Sequence, residues 1–356
     1  MKRINVTKTF LPPIEEYQSY LDSIWSSSQL TNQGPLLLEF EEKTKEYLGL
    51  KNLQAVANGT LALQLAIRAL DLGEGEIITT PFSYVATTSA ILWEHFTPVF
   101  VDIDRTNFCL DANKIERAIT DKTKAIMPVH VFGLPCNVEE IDQIAKKHNL
   151  KVIYDGAHAF GVKYRGKSLL DYGDISTCSF HATKLFHTIE GGAAISNNEE
   201  INRKVDLQKR FGHHGDEHIM LGINAKLTEF QAAMGLCNLK YIDENINKRK
   251  QLYNLYSKLL AGRFEVPTIS ADTIYNYGYY PVLAENEKQL TQLIDKLGHK
   301  EIYPRRYFYP SLNNLPYIDK RQKCPVSEDI ASRIMCLPLY ADLEEQSVEE
   351  ICEALK

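Results

Sequence analysis

Short apolar segments alternate with amphipathic ones between residues 53 and 197, and this alternation constrains the fold more than any other feature of the sequence. The apolar segments predict β-strands at residues 53–57, 77–80, 98–102, 125–131, 151–155, 175–180 and 193–196. The segments between them predict helices at residues 59–70 and 84–94, from residue 111, and at residues 138–148. Strands that alternate with helices form a mostly parallel central sheet that helices cover on both faces. The sequence therefore predicts an α/β fold, in which a ligand lies beyond the carboxyl ends of the strands.

The remainder of the chain predicts further helices and a second, smaller unit. Residues 37–48 have helical periodicity, and residues 227–260 form a long helix-prone stretch without proline. The segments that follow predict a strand at residues 275–283 and helices at residues 286–297, 324–335 and 343–355. A boundary near residue 240 divides the chain into a large domain, residues 1–240, and a smaller C-terminal α/β domain, residues 241–356.

The charge and cysteine content of the chain exclude several classes of protein. The 40 Lys and Arg residues against 46 Asp and Glu residues give a net charge of −6, so we expect neither nucleic acid nor an anionic membrane as a partner. No apolar run reaches the roughly 20 residues of a membrane span, and the first residues lack the apolar core of a signal peptide. The seven cysteines include no Cys-x-x-Cys pair, which indicates free thiols in a reducing compartment rather than disulfides or a zinc site. We therefore expect a cytoplasmic protein without a bound metal.

A single lysine, Lys184, stands in the sequence S-F-H-A-T-K-L-F-H-T-I-E-G-G at residues 179–192. A strand-like apolar run precedes this stretch. A lysine in a constricted and poorly hydrated turn at the end of a strand can lose its proton and attack a carbonyl carbon. The alternative is a solvated surface lysine, which is what most lysines are.

Two further strand ends carry residues suited to a flat, anionic ligand. Asn58, Gly59 and Thr60 begin a predicted helix, where backbone N–H groups favour an anion and glycine permits its close approach. The alternative there is a simple helix cap. Tyr84 follows the second predicted strand, and its ring can either stack on a heterocycle or pack in the core.

Asp155 ends the fifth predicted strand, and His158 follows three residues later. An aspartate at the end of an apolar strand needs a cationic or hydrogen-bonded partner, because burial of an unpaired carboxylate is costly. A structural ion pair or a helix cap meets that need. A protonated ring nitrogen of a ligand also meets it, and His158 could then hydrogen-bond a substituent of that ring.

Taken together, these residues describe a site for pyridoxal 5′-phosphate (PLP). Gly59, Thr60 and Ser179 would hold the phosphate, and Asp155 would keep the ring nitrogen protonated so that the ring accepts electrons. Lys184 would bond to the cofactor's aldehyde and, once released, would act as the base that moves the substrate proton.

The same motifs resemble those of the DegT/DnrJ/EryC1/StrS family of PLP-dependent nucleotide-sugar aminotransferases over nearly the whole chain. The most specific likeness is S-F-H-A-T-K at residues 179–184 followed by E-G-G at residues 190–192. Residues 58–63 are similar to the family's phosphate loop, and residues 81–87 carry its stacking aromatic. Residues 155–158 resemble its Asp-Ala-Ala-His/Gln motif, with Gly156 as a departure. This resemblance implies the type I aspartate aminotransferase fold.

The resemblance also implies a set of site residues. Lys184 is the expected catalytic residue. The expected cofactor-binding residues are Asn58, Gly59, Thr60, Tyr84, Asp155, His158, Ser179, Lys184 and Asn224. The expected substrate-binding residues are Gln33, His181, Glu190 and Tyr307. For Tyr307 an alternative is equally good, namely that its segment is a turn with packed aromatic residues. By the same likeness, Asn224 reaches the phosphate of a neighbouring subunit, which implies a homodimer with shared active sites.

One branch of this family replaces the lysine with histidine and dehydrates its substrate, so the retained Lys184 favours amino transfer. The resemblance implies a nucleotide-linked keto-sugar as acceptor and L-glutamate as donor. It is strongest to the enzymes of the viosamine-forming type, which aminate dTDP-4-keto-6-deoxy-D-glucose in deoxyamino sugar, O-antigen and lipopolysaccharide biosynthesis. Two alternatives remain: a dTDP-3-keto-6-deoxy sugar as acceptor, or a non-catalytic, PLP-binding regulatory relative.

Overall fold

The structure is a computed structural model that describes residues 3–318 and 322–356. Its helices are α1 Ile14–Ser27, α2 Pro35–Leu48, α3 Gly59–Ala69, α4 Ala86–Trp93, α5 Val138–His148, α6 Glu199–Gln208, α7 Glu229–Leu239, α8 Ile242–Leu259, α9 Glu287–Gly298, α10 Pro325–Arg333 and α11 Glu345–Leu355. Its strands are β1 Ile4–Asn5, β2 Gln54–Val56, β3 Glu76–Thr79, β4 Thr97–Phe100, β5 Thr123–Met127, β6 Lys151–Asp155, β7 Lys163–Tyr164, β8 Lys167–Ser168, β9 Ile175–Ser179, β10 Gly192–Ile195, β11 His213–His214, β12 Glu217–His218, β13 Thr273–Ile274, β14 Tyr280–Leu283, β15 Ile302–Tyr303 and β16 Ile334–Leu337.

A seven-stranded sheet in the order β2-β10-β9-β6-β5-β3-β4 forms the centre of the molecule. The neighbouring pairs from β9 to β4 are parallel, and β10 runs antiparallel to both β9 and β2. The seven strands correspond to the seven that the sequence predicts, and the mostly parallel α/β fold is confirmed.

Helices cover both faces of this sheet. The side chains of consecutive strand residues pack into different hydrophobic clusters, one on each face. In β3, Ile77 packs into the cluster that contains α3, whereas Ile78 packs into the larger cluster on the opposite face. Ala125 and Ile126 of β5 divide in the same way. Successive side chains of a strand point to opposite faces, so a doubly covered sheet requires continuous apolar strands rather than alternating ones.

Two predicted helical regions differ from the structure, and one helix was not predicted. The helix expected after residue 111 consists of short 3₁₀ turns at Ala112–Lys114 and Glu116–Ala118. The stretch 227–260 is two helices, because Lys240 and Tyr241 separate α7 from α8. Helix α1 was not predicted, and it begins directly after Pro13. Proline is compatible with a helix start, where its missing N–H group is not needed.

The C-terminal part builds a second core beside the sheet. Strands β14 and β16 pair in antiparallel fashion, and apolar residues of α8, α9 and α11 share one buried cluster with them. The N-terminal strand β1 joins this part by pairing in parallel with β15. The division of the chain at residue 240 remains a prediction.

Two buried carboxylates connect distant parts of the chain by binding helix N-termini. Glu229 of α7 accepts 2.9 Å hydrogen bonds from the N–H groups of Leu36 and Leu37 at the start of α2. Asp102, just after β4, accepts hydrogen bonds of 2.9 and 2.8 Å from the N–H groups of Val326 and Ser327 at the start of α10. A carboxylate is favourable at these positions because the first N–H groups of a helix lack intrahelical partners and the helix dipole is positive there.

All seven cysteines are buried and free, in agreement with the predicted free-thiol usage. Among residues 3–318 and 322–356, no helix combines the length and the hydrophobicity that crossing a lipid bilayer requires.

Candidate active site

A cavity of about 230 Å³ lies at the carboxyl ends of the parallel strands. The main sheet contributes the ends of β6 and β9 and the segments that follow β2 and β3. Arg305, Tyr307 and Phe308 of the C-terminal part form the opposite wall. Of the residues predicted for the site, the cavity brings together Asn58, Gly59, Thr60, Tyr84, Asp155, His158, Ser179, His181, Lys184, Glu190 and Tyr307.

The N-terminus of α3 forms one end of the cavity. The Oδ1 atom of Asn58 accepts a 2.9 Å hydrogen bond from the N–H of Leu61, so its side chain caps the helix. A Cβ atom on Gly59 would lie only 3.0 Å from Cβ of Ser179, so glycine permits the close approach of α3 to β9. The backbone N–H groups of Gly59 and Thr60 donate to no other described residue. Together with the hydroxyls of Thr60 and Ser179, they form a set of donors suited to an anion.

Asp155 lies at the end of β6 and is buried. Its Oδ2 atom accepts a 2.7 Å hydrogen bond from the hydroxyl of Thr87, and its Oδ1 atom accepts a 3.1 Å bond from the N–H of Ala157. Burial raises the pKa of this carboxyl, while the two hydrogen bonds and the charge of Lys184 oppose the rise. The carboxylate is therefore held in place and has capacity for a cationic partner.

Lys184 lies in the turn after β9, where its backbone N–H donates a 2.9 Å hydrogen bond to the carbonyl of His181. Its side chain lines the cavity. Burial lowers the pKa of the Lys184 amine to about 8, an effect that the negative charge of Asp155 opposes and the positive charge of Arg305 reinforces. An amine with this pKa is a competent nucleophile and base near neutral pH.

His158 is buried beside Asp155, in a stack of aromatic rings. Its Nδ1 atom accepts a 3.1 Å hydrogen bond from the N–H of Phe132, which assigns the proton of the neutral ring to Nε2. The ring of Phe308 lies parallel to the imidazole at a centroid distance of 5.7 Å. Burial lowers the pKa of His158 well below its ordinary value. The residue is therefore a neutral N–H donor at the cavity wall.

Tyr84, His181 and Glu190 line the more open side of the cavity. The side chain of Tyr84 is 55% exposed, so it is not part of the packed core. The Nδ1 atom of His181 accepts from the N–H of Thr183 at 3.2 Å, and its Nε2 atom lies 3.3 Å from Oε1 of Glu190. His181 and Glu190 thus form a polar pair at the entrance.

Two of the predicted site residues lie outside the lining of the cavity. The side-chain amide of Gln33 donates a 2.9 Å hydrogen bond to Asp206. The exposed Asn224 accepts a 2.7 Å bond from Nζ of Lys226. A single chain therefore does not bring either side chain to the cavity that contains Lys184.

Sequence reasoning missed Ser83 and Arg305 in the cavity wall and the buried Thr87 behind it. Thr87 and Ser83 form a hydrogen-bonded chain to Asp155, with 2.8 Å between their hydroxyl oxygens. Arg305 was also missed, although Tyr307, two residues later, was expected to contact the substrate. Ser83 and Thr87 follow a predicted strand and are about one helical turn apart in sequence. This spacing was the sign in the sequence that their hydroxyls could form a hydrogen-bonded chain.

The chain matches known proteins over nearly its whole length. A sequence model described as the DegT/DnrJ/EryC1/StrS aminotransferase family matches residues 13–356. A dTDP-4-amino-4,6-dideoxy-D-glucose transaminase of Shigella dysenteriae is 41% identical over 363 aligned positions, which cover 100% of this chain and 99% of the relative. A GDP-perosamine synthase of Escherichia coli O157:H7 is 37% identical and covers 94% of this chain and 92% of its own length.

The fold also matches solved structures. The crystal structure of DesI in the presence of its TDP-sugar product superposes with a TM-score of 0.94 at 29% identity. The match covers 100% of this chain and 92% of that one. The similarity therefore includes both the sheet and the C-terminal part that together form the cavity.

Proposed function

The chain belongs to the DegT/DnrJ/EryC1/StrS aminotransferase family, and we propose that it moves the amino group of L-glutamate to the C4 keto carbon of dTDP-4-keto-6-deoxy-D-glucose with PLP as cofactor. The product is a dTDP-4-amino-4,6-dideoxy sugar. The observation that carries this proposal is the cavity in which Lys184, Asp155 and the N-terminus of α3 converge.

The similarity to the Shigella dysenteriae relative supports the choice of acceptor. Its name specifies a dTDP-linked sugar with the amine at C4, and the two chains are 41% identical over their full lengths. This identity favours C4 over C3 as the site of amination in the present chain.

The residues present fit PLP. The free N–H groups of Gly59 and Thr60 and the hydroxyl of Ser179 suit the phosphate, and the tight contact at Gly59 leaves no room for a side chain there. Asp155 suits a protonated ring nitrogen, because its buried carboxylate has hydrogen bonds to hold it in place but no ion pair among the described residues. The exposed ring of Tyr84 at the entrance suits stacking on a flat heterocycle.

When bound, PLP supplies an aldehyde that bonds to amines and a ring that accepts the electron pair released at the donor carbon. The protein supplies the proton transfers and the orientation. The amine of Lys184 has a pKa of about 8, and its Nζ atom takes the substrate proton and returns it. Asp155 would hold a proton on the ring nitrogen of the cofactor, and the neutral His158 would donate a hydrogen bond from Nε2 without adding a second positive charge.

The test uses the purified protein with PLP, L-glutamate and either dTDP-4-keto- or dTDP-3-keto-6-deoxy-D-glucose, with the products identified by NMR. We expect a dTDP-4-amino-4,6-dideoxy sugar from the 4-keto substrate and no turnover with Lys184→Ala. A matched control, Lys204→Ala, removes a lysine that pairs with Asp71 and Glu200 at the surface, and it should retain full activity. Amination of the 3-keto sugar alone would contradict the proposed regiochemistry, and PLP binding without turnover of either sugar would favour a regulatory role.

We further propose a cytoplasmic homodimer with shared active sites that serves deoxyamino sugar and O-antigen biosynthesis. The positions of Gln33 and Asn224 outside their own chain's cavity are consistent with contributions to a neighbouring site. The buried free cysteines are typical of a reducing compartment. The GDP-perosamine synthase relative suggests a role in cell-surface sugars.

A further inference from the structure

Residues 180–191, which the structure describes throughout, form the loop between β9 and β10 that carries Lys184, and they contain no helix or strand. The N–H of Lys184 donates a 2.9 Å hydrogen bond to the carbonyl of His181, and the N–H of Thr188 donates a 2.9 Å bond to the carbonyl of Phe180. These turns do not by themselves fix the loop relative to the rest of the molecule. Its position therefore depends on the segments that bind it.

The N-terminal residues 6–10, here called the strap, bind this loop on both sides of the reactive lysine. The hydroxyl of Thr9 donates a 2.9 Å hydrogen bond to the carbonyl of Ala182, two residues before the lysine. The Nε2 atom of His187, three residues after the lysine, lies 2.7 Å from the carbonyl oxygen of Phe10. The strap thus holds the loop at two points that flank the lysine.

His187 is buried, and its hydrogen bonds define its tautomer. Its Nδ1 atom accepts a 3.1 Å hydrogen bond from the N–H of Ile189, so the proton of the neutral ring is on Nε2 and is donated to Phe10. Burial lowers the pKa of His187, and the hydrogen bond to Phe10 offsets part of that effect. The side-chain amide of Asn238 in α7 donates a 2.8 Å bond to the carbonyl of His187. His187 therefore joins the strap, the loop and α7.

The loop is held in a strained conformation. Ile189 has a φ of 70°, which a β-branched residue rarely adopts. Such strain persists only where the surrounding structure enforces it. Here Nδ1 of His187 binds the N–H of Ile189, and the side-chain amide of Gln231 donates a 2.8 Å hydrogen bond to the carbonyl of Glu190. Loss of these contacts would let the loop relax to a different position.

The other end of the strap is bound to the C-terminal part, which forms the opposite wall of the cavity. The N–H of Leu339 donates a 3.1 Å hydrogen bond to the carbonyl of Val6, and β1, just before the strap, pairs with β15. Leu339 lies two residues after β16, and β16 is hydrogen-bonded to the backbone of Arg305 in that wall. The strap therefore connects the loop of the lysine with the wall that the loop faces.

We propose that the strap positions Lys184: Thr9 and His187 hold its loop at a fixed place relative to the opposite wall, so that the amine stays inside the cavity. This inference rests on the proposed aminotransferase function. Thr9 and His187 are positioning residues, because neither is among the described residues that line the cavity. The alternative is that these contacts only anchor the N-terminal segment, in which case their loss changes stability but not the amine.

Two properties of the amine depend on its position. A displacement of about 1 Å can slow a reaction by about 100-fold, because the reacting groups are no longer aligned. An outward displacement of the loop would also bring water to the amine. Since burial is what lowers the pKa of Lys184, its pKa would then rise toward the ordinary value.

The test uses matched pairs of variants. Thr9→Val removes the hydroxyl and keeps the shape of the side chain, whereas Thr9→Ser keeps the hydroxyl. His187→Asn keeps an acceptor near the place of Nδ1 but is too short for Phe10, whereas His187→Gln carries an amide N–H near the place of Nε2. Lys8→Ala is the control, because Lys8 lies in the strap and its amine pairs with Asp342 at the surface.

The first readout is the acylation of Lys184 by acetic anhydride in the PLP-free protein, measured by peptide mass spectrometry as a function of pH. We expect Thr9→Val and His187→Asn to raise the pH at which the rate is half-maximal by about 0.5–1. Thr9→Ser, His187→Gln and Lys8→Ala should keep the wild-type profile.

The second readout is the single-turnover rate of the PLP-loaded protein with L-glutamate, followed by absorbance. We expect this rate to fall about 10-fold in Thr9→Val and His187→Asn. Calorimetric titration should show unchanged binding of dTDP, because the strap residues Thr9 and Phe10 are not among the described lining residues.

Chemical denaturation of the same variants distinguishes positioning from anchoring. A lower free energy of unfolding in Thr9→Val and His187→Asn, with a wild-type acylation profile and rate, would show that the strap only anchors the N-terminal segment and would overturn the inference. Wild-type behaviour of both variants in every measurement would overturn it as well. If the wild-type protein reacted with no amino acid, the proposed function would fail, and the acylation profiles would still decide whether the strap positions Lys184.

Discussion

The hydroxyl of Thr87 donates a 2.7 Å hydrogen bond to Oδ2 of Asp155, and the two side chains are buried together at the base of the cavity. Thr87 in turn shares a hydrogen bond with Ser83, at 2.8 Å between the hydroxyl oxygens. The start of α4 is thereby coupled to the end of β6. Burial raises the pKa of the Asp155 carboxyl, and this hydrogen bond offsets part of that rise.

Replacement of Thr87 by valine keeps the shape of the side chain and removes the donor. We expect Thr87→Val to raise the pKa of Asp155 further and to weaken PLP binding by about 10-fold, since a hydrogen bond to a charged group is lost. The loss should be larger at lower pH, because the protonated fraction of the carboxyl grows as the pH falls. Absorbance titration with PLP at several pH values measures it. Ser83→Ala is the control: it removes only the outer hydroxyl and should have a smaller effect.

In the PLP-free protein, the pKa of the Lys184 amine should lie far below that of an ordinary lysine. With a pKa of about 8, the neutral fraction of its amine rises about tenfold between pH 6 and pH 7 and reaches one half near pH 8. The rate of acylation by acetic anhydride, measured for each lysine by peptide mass spectrometry, should follow this curve at Lys184. Lys204 is an internal control, because its carboxylate partners raise its pKa above the ordinary value. A Lys184 profile that coincides with that of Lys204 would refute the effect of burial.

Gly192 should tolerate no side chain. A Cβ atom there would lie 2.6 Å from the carbonyl carbon of Asn58 and 2.7 Å from the backbone nitrogen of Gly59. Gly192→Ala should therefore displace the start of α3, lower the free energy of unfolding by about 1–3 kcal/mol and weaken PLP binding. Chemical denaturation and PLP titration measure the two effects. Gly298→Ala, where no atom lies within 4 Å of the added Cβ, should leave both unchanged or slightly raise stability.

If the active sites are shared, two inactive variants should complement each other. Lys184→Ala lacks the reacting amine, and Asn224→Ala lacks the side chain proposed to reach the neighbouring subunit. In a hybrid dimer, one site combines Lys184 of one chain with Asn224 of the other. An equal mixture should regain about one quarter of the wild-type activity when subunits exchange at random.

The complementation experiment needs each variant alone as its baseline and analytical ultracentrifugation to establish the oligomeric state. Asn224→Ala alone should release PLP more readily than the wild-type protein. Recovery that is no greater than the sum of the separate variants would show that each chain supplies its own Asn224.

The strands of the central sheet could be predicted because each is a short apolar run between turn residues. Residues 151–155 were predicted with the bounds that β6 has. The region after residue 111 could not be predicted in the same way, because its apolar residues pack as short 3₁₀ turns and helical periodicity does not distinguish the two. The break after Leu239 lacks a proline or glycine, so only packing reveals it.

For the site, sequence motifs located the residues that follow strand ends, since the topology of a parallel sheet brings those ends together. From the C-terminal part, sequence reasoning named Tyr307 but not the other two lining residues, Arg305 and Phe308. Arg305 reaches the cavity wall through the pairing of its backbone with Cys336, a contact between distant segments that local sequence does not encode. The partner of Gln33 was also beyond sequence reasoning, because Asp206 is 173 residues away along the chain and meets Gln33 only in the fold.

The binding of the α10 N-terminus by Asp102 has a mechanical consequence for the cavity. Helix α10 continues directly into β16, and β16 is hydrogen-bonded to Arg305, so a short series of rigid pieces connects the end of β4 to the arginine. Rotation of the C-terminal wall away from the sheet would uncap α10 before it widened the cavity. We therefore expect reactants to enter and leave past Tyr84, with the width between Arg305 and the sheet constant throughout turnover.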